Sequence, residues 1–466
     1  MKKTLKYATL FLLLLLSGAA WYLYNTSPVA AGYSAKYLCS HVFTSGQDAG
    51  EAMEQFIEPI NPVFGFVQYE VDYERKQVTA NLFGFLRPST AVYRPGCGCT
   101  LLVHKSAEEL KQQAAGLDID DPALQDTVWP IGNRFDRAVI PANVDTAALN
   151  RRIAREFRET ATEPGDKINT FAIVVAYKDR IIAEQYRPGI TDSTPLLSWS
   201  ASKSVTSALF GRLAQTHGLN IYAPAGLPAW QNDERRAITI DQLLRMESGL
   251  AFDERYAPFA DAVEMLYESG DMGAYAAGKK ALAGPDSIWA YSSGTTNILA
   301  KILLEKTGGS LRALDTWAHE QFFDKLGIRS AVFEHGENGA YVGSSYFYAT
   351  PKDWLRFALL YKQKGRWNGE QLLPPGWVDY SLSPTPHAHI GEYGAHIWLN
   401  AGRKGSSERF LPRLPEDTFI FEGYQEQWIV VIPSKDLMIA RFGATNTPNW
   451  SVEDLIVDVL GAIGGE

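Results

Sequence analysis

Two apolar, strand-like segments near opposite ends of the chain limit its fold more than any other sequence feature. Residues 171–177 and 181–186 form one predicted hairpin, and residues 428–433 and 436–442 form a second. Most of the sequence between the hairpins has the periodicity of helices. The sequence therefore predicts an α+β fold in which both ends supply strands to one antiparallel sheet, with a helical region inserted between them. A functional site is expected at the seam between the sheet and the helices.

Length and composition are those of an ordinary globular protein. The 466 residues are 46% hydrophobic and 21% charged, enough for one large domain with additional material or for two domains. The formal net charge of -9 and the absence of a basic stripe argue against a nucleic-acid partner.

Residues 1–30 form a candidate membrane anchor. Residues 7–24 carry no charge and approach the roughly 20 apolar residues that a membrane span requires. Basic side chains precede this run and aromatic ones end it, namely Lys2, Lys3 and Lys6 before it and Trp21, Tyr22 and Tyr24 within it. A cleaved signal peptide is the alternative, because small residues stand at 18 and 20 and at 29 and 31. Both interpretations predict export: the chain is anchored on the periplasmic side of the inner membrane, or soluble in the periplasm if cleaved.

Residues 31–143 are predicted to form an N-terminal extension without a catalytic constellation. Its strand-like stretches lie at 67–72 and 77–85, and its expected role is to pack against the main domain or to orient it at the membrane.

All three cysteines lie in this extension. Cys97 and Cys99 are too close in sequence to pair readily with each other, so a disulfide from Cys39 to Cys99 or to Cys97 is expected. One thiol is left over in either case.

The most specific catalytic pattern is the Ser-x-x-Lys formed by Ser200 and Lys203 at the start of an apolar helical segment. Three residues are just under one helical turn, so the pattern places the serine hydroxyl beside the lysine ammonium. Burial lowers the pKa of a lysine and enables it to accept the serine proton. A helix-capping serine is the structural alternative, since a four-residue pattern arises by chance in a chain of this length.

Two further segments are candidate partners of Ser200. Tyr291, followed two residues later by Ser293, precedes a predicted helix, and a phenol beside an ammonium is expected to favour its phenolate and relay protons. The structural alternative for Tyr291 and Ser293 is a turn at the start of a helix. A glycine-led polar turn before the strand at 428 is expected to supply a backbone N–H that stabilises an oxyanion together with the N–H of Ser200. That turn consists of Gly423, Tyr424, Gln425, Glu426 and Gln427.

Together these motifs resemble the serine β-lactamase and penicillin-binding protein superfamily, and within it the class C-like branch of esterases and 6-aminohexanoate-dimer hydrolases. The resemblance runs from about Ala172 to the C-terminus and includes residues 243–250, 348–354 and 369–377. It implies a β-lactamase/transpeptidase-like domain over residues 144–466, with a five-stranded antiparallel sheet, flanking helices and a helical subdomain. In that comparison Ser200 is the acylated nucleophile, Lys203 its proton acceptor and Tyr291 the general base and acid.

The sequence departs from the lactamase pattern at two positions. Ser293 stands where lactamases have asparagine, and Glu426 replaces the second glycine of a Gly-x-x-Gly-Gln motif. A side chain at 426 is expected to crowd the acyl pocket or to add a carboxylate to it, which argues against efficient β-lactam turnover. The only Lys-Thr-Gly, at 306–308, follows a helix rather than lying on the last strands, so we interpret it as a helix end.

The sequence thus predicts an exported serine hydrolase that cleaves a small amide or ester through an acyl-serine intermediate, with no metal and no cofactor. The alternatives are a β-lactamase, a D-amino-acid peptidase or carboxypeptidase, or a non-catalytic penicillin-recognising module. The last is favoured by Ser293 and Glu426 and opposed by the joint presence of the three catalytic candidates. The chain lacks the Gly-x-Ser-x-Gly of α/β-hydrolases.

Two weaker sets of residues complete the prediction. Aromatic residues expected to line a substrate pocket, with core packing as the alternative, are Trp199, Tyr346, Trp398 and Tyr424. The loop histidines His387, His389 and His396 are interpreted as solvated rather than as metal ligands.

Overall fold

The computed structural model describes residues 2–117, 126–158 and 167–464. In these ranges the helices are α1 (Lys2–Phe43), α2 (Ala49–Ala52), α3 (Ala107–Ala114), α4 (Thr146–Arg155), α5 (Ser202–His217), α6 (Ile240–Leu244), α7 (Asp261–Glu268), α8 (Met272–Ala277), α9 (Ser293–Lys306), α10 (Leu311–Ala318), α11 (Asp324–Leu326), α12 (Pro351–Lys362), α13 (Trp377–Ser381) and α14 (Val452–Gly461).

The strands of the same ranges are β1 (Val67–Asp72), β2 (Gln77–Leu82), β3 (Leu86–Arg94), β4 (Gly98–Leu101), β5 (Thr170–Tyr177), β6 (Arg180–Tyr186), β7 (Leu196–Leu197), β8 (Val332–Phe333), β9 (Phe347–Ala349), β10 (Arg366–Trp367), β11 (Glu370–Gln371), β12 (Trp398–Leu399), β13 (Phe419–Gly423), β14 (Gln427–Ile432) and β15 (Leu437–Gly443).

The two predicted hairpins join in one antiparallel sheet of order β12-β13-β14-β15-β5-β6. Its centre is the pairing of β15 with β5, where Ile439 lies opposite Val175. Both faces are covered, because Val174 belongs to the core on one side and Val175 to the core on the other. This burial explains why both strands are continuous apolar runs rather than alternating ones. The antiparallel α+β architecture expected from the sequence is confirmed.

The strand count differs from the expected five. Trp398 and Leu399 form the short strand β12, which pairs with Ile420 and Phe419 at the free edge of β13. An edge strand exposes unpaired backbone N–H and C=O groups, and even two residues of a passing loop satisfy part of them. Loop residues 384–397 carry no strand pattern of their own, so the sequence did not predict this sixth strand.

Helices cover both faces of the sheet and build the helical region beside it. Helix α12 packs on the face that holds the larger core, while α4 and α14 pack on the other. Helix α5, which follows the Ser-x-x-Lys pattern, lies against α9 in the middle of the larger core. The start of α5 therefore lies at the seam between sheet and helices, where a site was expected.

The first helix has two very different halves. Over residues 4–24 its side chains are exposed, and this part is long and apolar enough to cross a membrane, a test that a signal sequence also passes. From Ser27 to Ser40 the same helix is almost entirely buried, against strands β2 and β3. The apolar segment therefore leads without a break into the body of the protein.

Covalent and ionic links tie this buried half to the rest. The structure joins Cys39 to Cys99 by a disulfide between α1 and β4, and leaves Cys97 as a buried thiol. The ammonium of Lys36 forms a buried ion pair with Glu334, which lies in the β-lactamase-like part of the chain. The extension and the later domain thus share one hydrophobic core.

We expect the disulfide to contribute substantially to stability. Replacing Cys99 by serine opens a crosslink between residues 60 positions apart, which should lower the free energy of unfolding by about 2–4 kcal/mol. Urea unfolding of the detergent-solubilised chain, followed by tryptophan fluorescence, measures this. The matched control is Cys97→Ser, which changes a buried but unpaired thiol; equal midpoints for the two variants would contradict the prediction.

Candidate active site

The serine of the Ser-x-x-Lys pattern lies in a single helical turn, Trp199–Ala201, that leads into α5. Trp199 has a φ of 49°, the left-handed region that a bulky residue rarely adopts. Its indole is buried against the rings of Tyr37, Phe56 and Tyr424, so packing holds the residue in this conformation. Strained backbone of this kind is concentrated at functional sites. The partly exposed Ser200 follows immediately.

Lys203 is buried one turn further along and points back at the serine. Its Nζ donates to Ser200 Oγ over 2.9 Å, to Ser293 Oγ over 3.2 Å and to the carbonyl of Ser344 over 3.0 Å. Burial lowers the pKa of this lysine to about 8, while the charges of Glu254 and Glu422 act in the opposite direction. A substantial fraction of the amine is then neutral at mildly alkaline pH and able to accept a proton.

Tyr291 completes the group immediately before α9. Its ring centroid is 4.8 Å from Lys203 Nζ, and it stacks on Trp398 at 5.5 Å. Burial raises the pKa of the phenol well above its usual value, although a hydrogen bond with Ser200 lowers it. The phenolate expected from the nearby ammonium is therefore not the form that this environment favours, because desolvation and the charges of Glu422 and Glu254 raise the phenol pKa. A neutral phenol at this position is a proton donor.

Ser293, the first residue of α9, connects the lysine to a carboxylate that the sequence did not predict. Its Oγ accepts from Lys203 and donates to Glu254 over 2.5 Å, and its N–H donates to the same carboxylate over 2.7 Å. Glu254 lies in the loop between α6 and α7, and no motif marks it. Burial raises its pKa, and the neighbouring lysine lowers it. Its position depends on tertiary contacts alone.

A second unpredicted carboxylate, Glu422, projects from β13 beside the lysine. Burial and the charge of Glu426 raise its pKa to about 7, whereas Lys203 acts to lower it. The sequence held one signal for this residue, since it is the only charged residue in the otherwise apolar strand Phe419–Gly423. Two carboxylates of weakened acidity therefore flank one lysine of weakened basicity.

Gly423 brings the edge of the sheet against Trp199–Ala201, the turn that carries Ser200 and is called the nucleophile turn below. A Cβ at this position would lie 2.1 Å from the carbonyl oxygen of Ser198, so only glycine permits the approach. The next residue, Tyr424, packs its ring edge-on against Trp199 at 5.3 Å. The end of β13 is thus the sheet backbone that lies against the turn carrying Ser200.

The remaining members of the polar turn have structural contacts. Gln425 and Glu426 have φ values of 61° and 66°, as a tight hairpin turn requires. The Gln427 amide donates to the carbonyls of Tyr424, Gln425 and Gly443, and Gln425 donates to that of Phe56. The carboxylate of Glu426 accepts from the Trp428 indole over 2.6 Å. The carboxylates that act on Lys203 are Glu254 and Glu422, and the side chain of Glu426 is bound to the Trp428 indole instead.

Two of the four aromatic candidates lie where packing, rather than a pocket, accounts for them. Tyr346 is fully buried below the Lys36 ammonium, and Trp199 is enclosed as described. Trp398 and Tyr424 are less buried and flank Tyr291 and the nucleophile turn respectively.

The three loop histidines do not share a site. His396 is buried between Thr296 and the carbonyl of Leu244, and burial lowers its pKa to about 3, so it is not the solvated residue expected. His387 pairs with Glu247, and His389 packs against Trp289. Within the described ranges, the group with metal-ligating geometry is instead Cys97, Asp315 and His335, buried in the extension interface.

Gly423 provides a direct test of the close approach at this site. Gly423→Ala forces β13 away from Ser198, and such overpacking should lower the free energy of unfolding by about 1–3 kcal/mol. The control is Gly461→Ala at the end of α14, where a Cβ meets nothing within 4 Å and a small gain in stability is expected. Thermal unfolding of the two variants compares them; a Gly423→Ala protein as stable as the control would contradict this packing.

Comparisons with known proteins identify the family and the fold. No curated protein sequence matches the chain. A Bacillus anthracis protein provisionally assigned as a 6-aminohexanoate-dimer hydrolase is 22% identical, with a TM-score of 0.53 over 63% of this chain and 79% of that one. EstCE1, a hydrolase with promiscuous acyltransferase activity, is 14% identical, with a TM-score of 0.52 over 69% of this chain and 99% of that one. At these identities the likeness is one of fold. The model of the Beta-lactamase family matches residues 151–461, and the chain belongs to that family.

Proposed function

We propose that the protein is a membrane-anchored, exported serine hydrolase that cleaves an amide or ester through an acyl-Ser200 intermediate. The observation that carries this proposal is the contact between a buried lysine of lowered pKa and the serine hydroxyl, 2.9 Å apart. A non-catalytic penicillin-recognising module has no need for such a lysine. Two proteins of similar fold are named as hydrolases, which agrees with the assignment.

In the first half-reaction the neutral amine of Lys203 accepts the Ser200 proton while Oγ bonds to the substrate carbonyl carbon. The carbonyl oxygen gains the negative charge, and backbone N–H groups stabilise it. One is the N–H of Ser200. We assign the second to the end of β13 at Gly423–Tyr424 rather than to 425–427, because this stretch lies against the nucleophile turn.

Collapse of this intermediate requires a proton on the leaving group. Tyr291, held as a neutral phenol, donates it as the carbon–nitrogen or carbon–oxygen bond breaks, and recovers a proton from the Lys203 ammonium. In the second half-reaction Lys203 takes a proton from water, whose oxygen bonds to the acyl carbon. The bond from that carbon to Ser200 Oγ then breaks, and the Lys203 ammonium returns a proton to Oγ.

The placement of α1 supports a retained anchor. Ala30 and Ala31 are buried in the protein body, so cleavage after residue 31 would remove packed residues as well as the apolar run. The Cys39–Cys99 disulfide is typical of an oxidising compartment outside the cytoplasm.

Covalent labelling tests the nucleophile. The full-length chain in detergent is treated with a fluorophosphonate, or separately with a penicillin, and its intact mass is measured. We expect one fluorophosphonate adduct on the wild type, none on Ser200→Ala, and a strong decrease in labelling rate for Lys203→Ala. Labelling of Ser200→Ala, or none of the wild type, would overturn the proposal. A penicillin adduct that decays rapidly would identify lactam hydrolysis as one of its activities.

The pH dependence follows from the lysine. Only the neutral amine accepts the serine proton, so kcat/KM for an activated ester should rise with pH and level off above about 8, falling about tenfold per pH unit well below that value. Tyr291 stays protonated throughout, because its pKa is raised. A pH–rate profile between pH 5.5 and 10 measures this rising limb of kcat/KM.

Neutralising either flanking carboxylate should move this limb to lower pH. The negative charges of Glu254 and Glu422 raise the lysine pKa, so Glu254→Gln and Glu422→Gln each remove an interaction that favours the ammonium. Glu234→Gln, at an exposed position remote from the site, is the matched control and should leave the profile unchanged. A limb that moves upward in the site variants would contradict the assignment of Lys203 as the base.

A further inference from the structure

A cavity of about 390 Å³ lies between the anchor helix and the domain that carries the active site. Its volume falls within the range of roughly 300–1,000 Å³ that binds small molecules. The walls come from α1, from the extension, and from the loop before α7, and are mostly apolar. Lining residues used below are Leu23, Val29, Tyr33, Val63, Tyr256 and Tyr424.

The outer end of the cavity is surrounded by exposed aromatic side chains at the level where the apolar run of α1 ends. On one side Trp21 and Tyr22 contact Phe259, which is 49% exposed. The extension contributes a second exposed pair, Phe66 and Phe83, next in sequence to the lining residue Leu82. Exposed aromatic rings beside the end of an apolar helix are typical of the belt at a membrane–water interface.

The inner end of the cavity is lined by Tyr256 and Tyr424, which lie next to the candidate active site. Tyr256 stacks on Tyr424 with centroids 5.9 Å apart, and Tyr424 contacts Trp199, the residue before the nucleophile. Tyr256 also follows two residues after Glu254, whose carboxylate accepts from Ser293, a partner of Lys203. The cavity therefore extends from the end of the apolar run to Tyr424, whose ring contacts the residue before Ser200.

We propose that the substrate is a membrane-resident amphiphile, an ester or amide of a long acyl chain, whose chain occupies this cavity while its carbonyl reaches Ser200. This inference rests on the proposed function and names its substrate class. The reaction is the same hydrolysis: the acyl group passes from the alcohol or amine to Ser200 Oγ and then to water, which yields a fatty acid. No charged side chain is among the lining residues, which suits a hydrocarbon chain and not a polar peptide.

An acyl-length series tests the proposal in the full-length protein, reconstituted in lipid nanodiscs because detergent would compete for the cavity. p-Nitrophenyl acetate and octanoate are compared below their critical micelle concentrations. Each methylene that leaves water improves binding about three- to fourfold, so kcat/KM for octanoate should exceed that for acetate by at least tenfold. This preference should require Ser200.

A plugged cavity separates chain binding from catalysis. Val29→Trp fills the cavity from α1 and should remove the preference for octanoate while acetate hydrolysis stays within about twofold of wild type. Val457→Trp, which enlarges another half-buried helical valine remote from the cavity, is the matched control and should keep the preference. If Val29→Trp also loses acetate hydrolysis through misfolding, Val63→Trp fills the same cavity from the extension.

The outcomes are distinguishable. Ser200-dependent hydrolysis of acetate without a preference for octanoate, or equal effects of plug and control, overturns the acyl-chain inference and leaves the hydrolase intact. Absence of Ser200-dependent hydrolysis of both esters overturns the proposed function and this inference together.

Discussion

The hydrolase chemistry proposed for this protein depends on the removal of one ammonium group from water. Lys203 lies within the larger hydrophobic core, where its charge is only partly compensated, and the resulting fall of its pKa to about 8 brings the neutral amine into a useful pH range. Two nearby carboxylates, Glu254 and Glu422, limit the decrease of the lysine pKa. Burial raises the pKa of both carboxylates, so their own negative charge is weakened. Full ion pairing would keep the lysine charged, and complete isolation would require a larger cost in folding free energy.

Packing from the N-terminal extension holds the nucleophile turn in position. Trp199 is buried in a left-handed conformation, and part of its packing comes from Tyr37 of α1 and from Phe56. The Lys36–Glu334 pair and the Cys39–Cys99 disulfide hold α1 in turn against the domain. The extension therefore supports the nucleophile turn through packing, which is a structural role for a segment without a catalytic motif.

Much of this arrangement was predictable from residue patterns, and the rest was not for identifiable reasons. Long apolar runs determined the central strands, and the one-turn spacing of Ser200 and Lys203 determined their contact, because both depend on local geometry. Glu254 was not predictable, since its role arises from a loop folding back onto Ser293. The state of Tyr291 was misjudged because charge proximity can be estimated from sequence but desolvation cannot. Strand β12 was not predicted because it forms only where a free sheet edge is already present.

The continuity of α1 also fixes a distance. With residues 7–24 in a bilayer, the rigid helix rises about 1.5 Å per residue, so Tyr33, nine residues beyond Tyr24, stands only about 14 Å from the end of the apolar run. A flexible linker would allow the domain many distances and orientations relative to the bilayer, whereas this helix fixes one distance. For the anchored hydrolase and membrane-resident substrate proposed above, encounter is a two-dimensional search, governed by the density of target molecules in the host membrane rather than by their concentration in the surrounding solution.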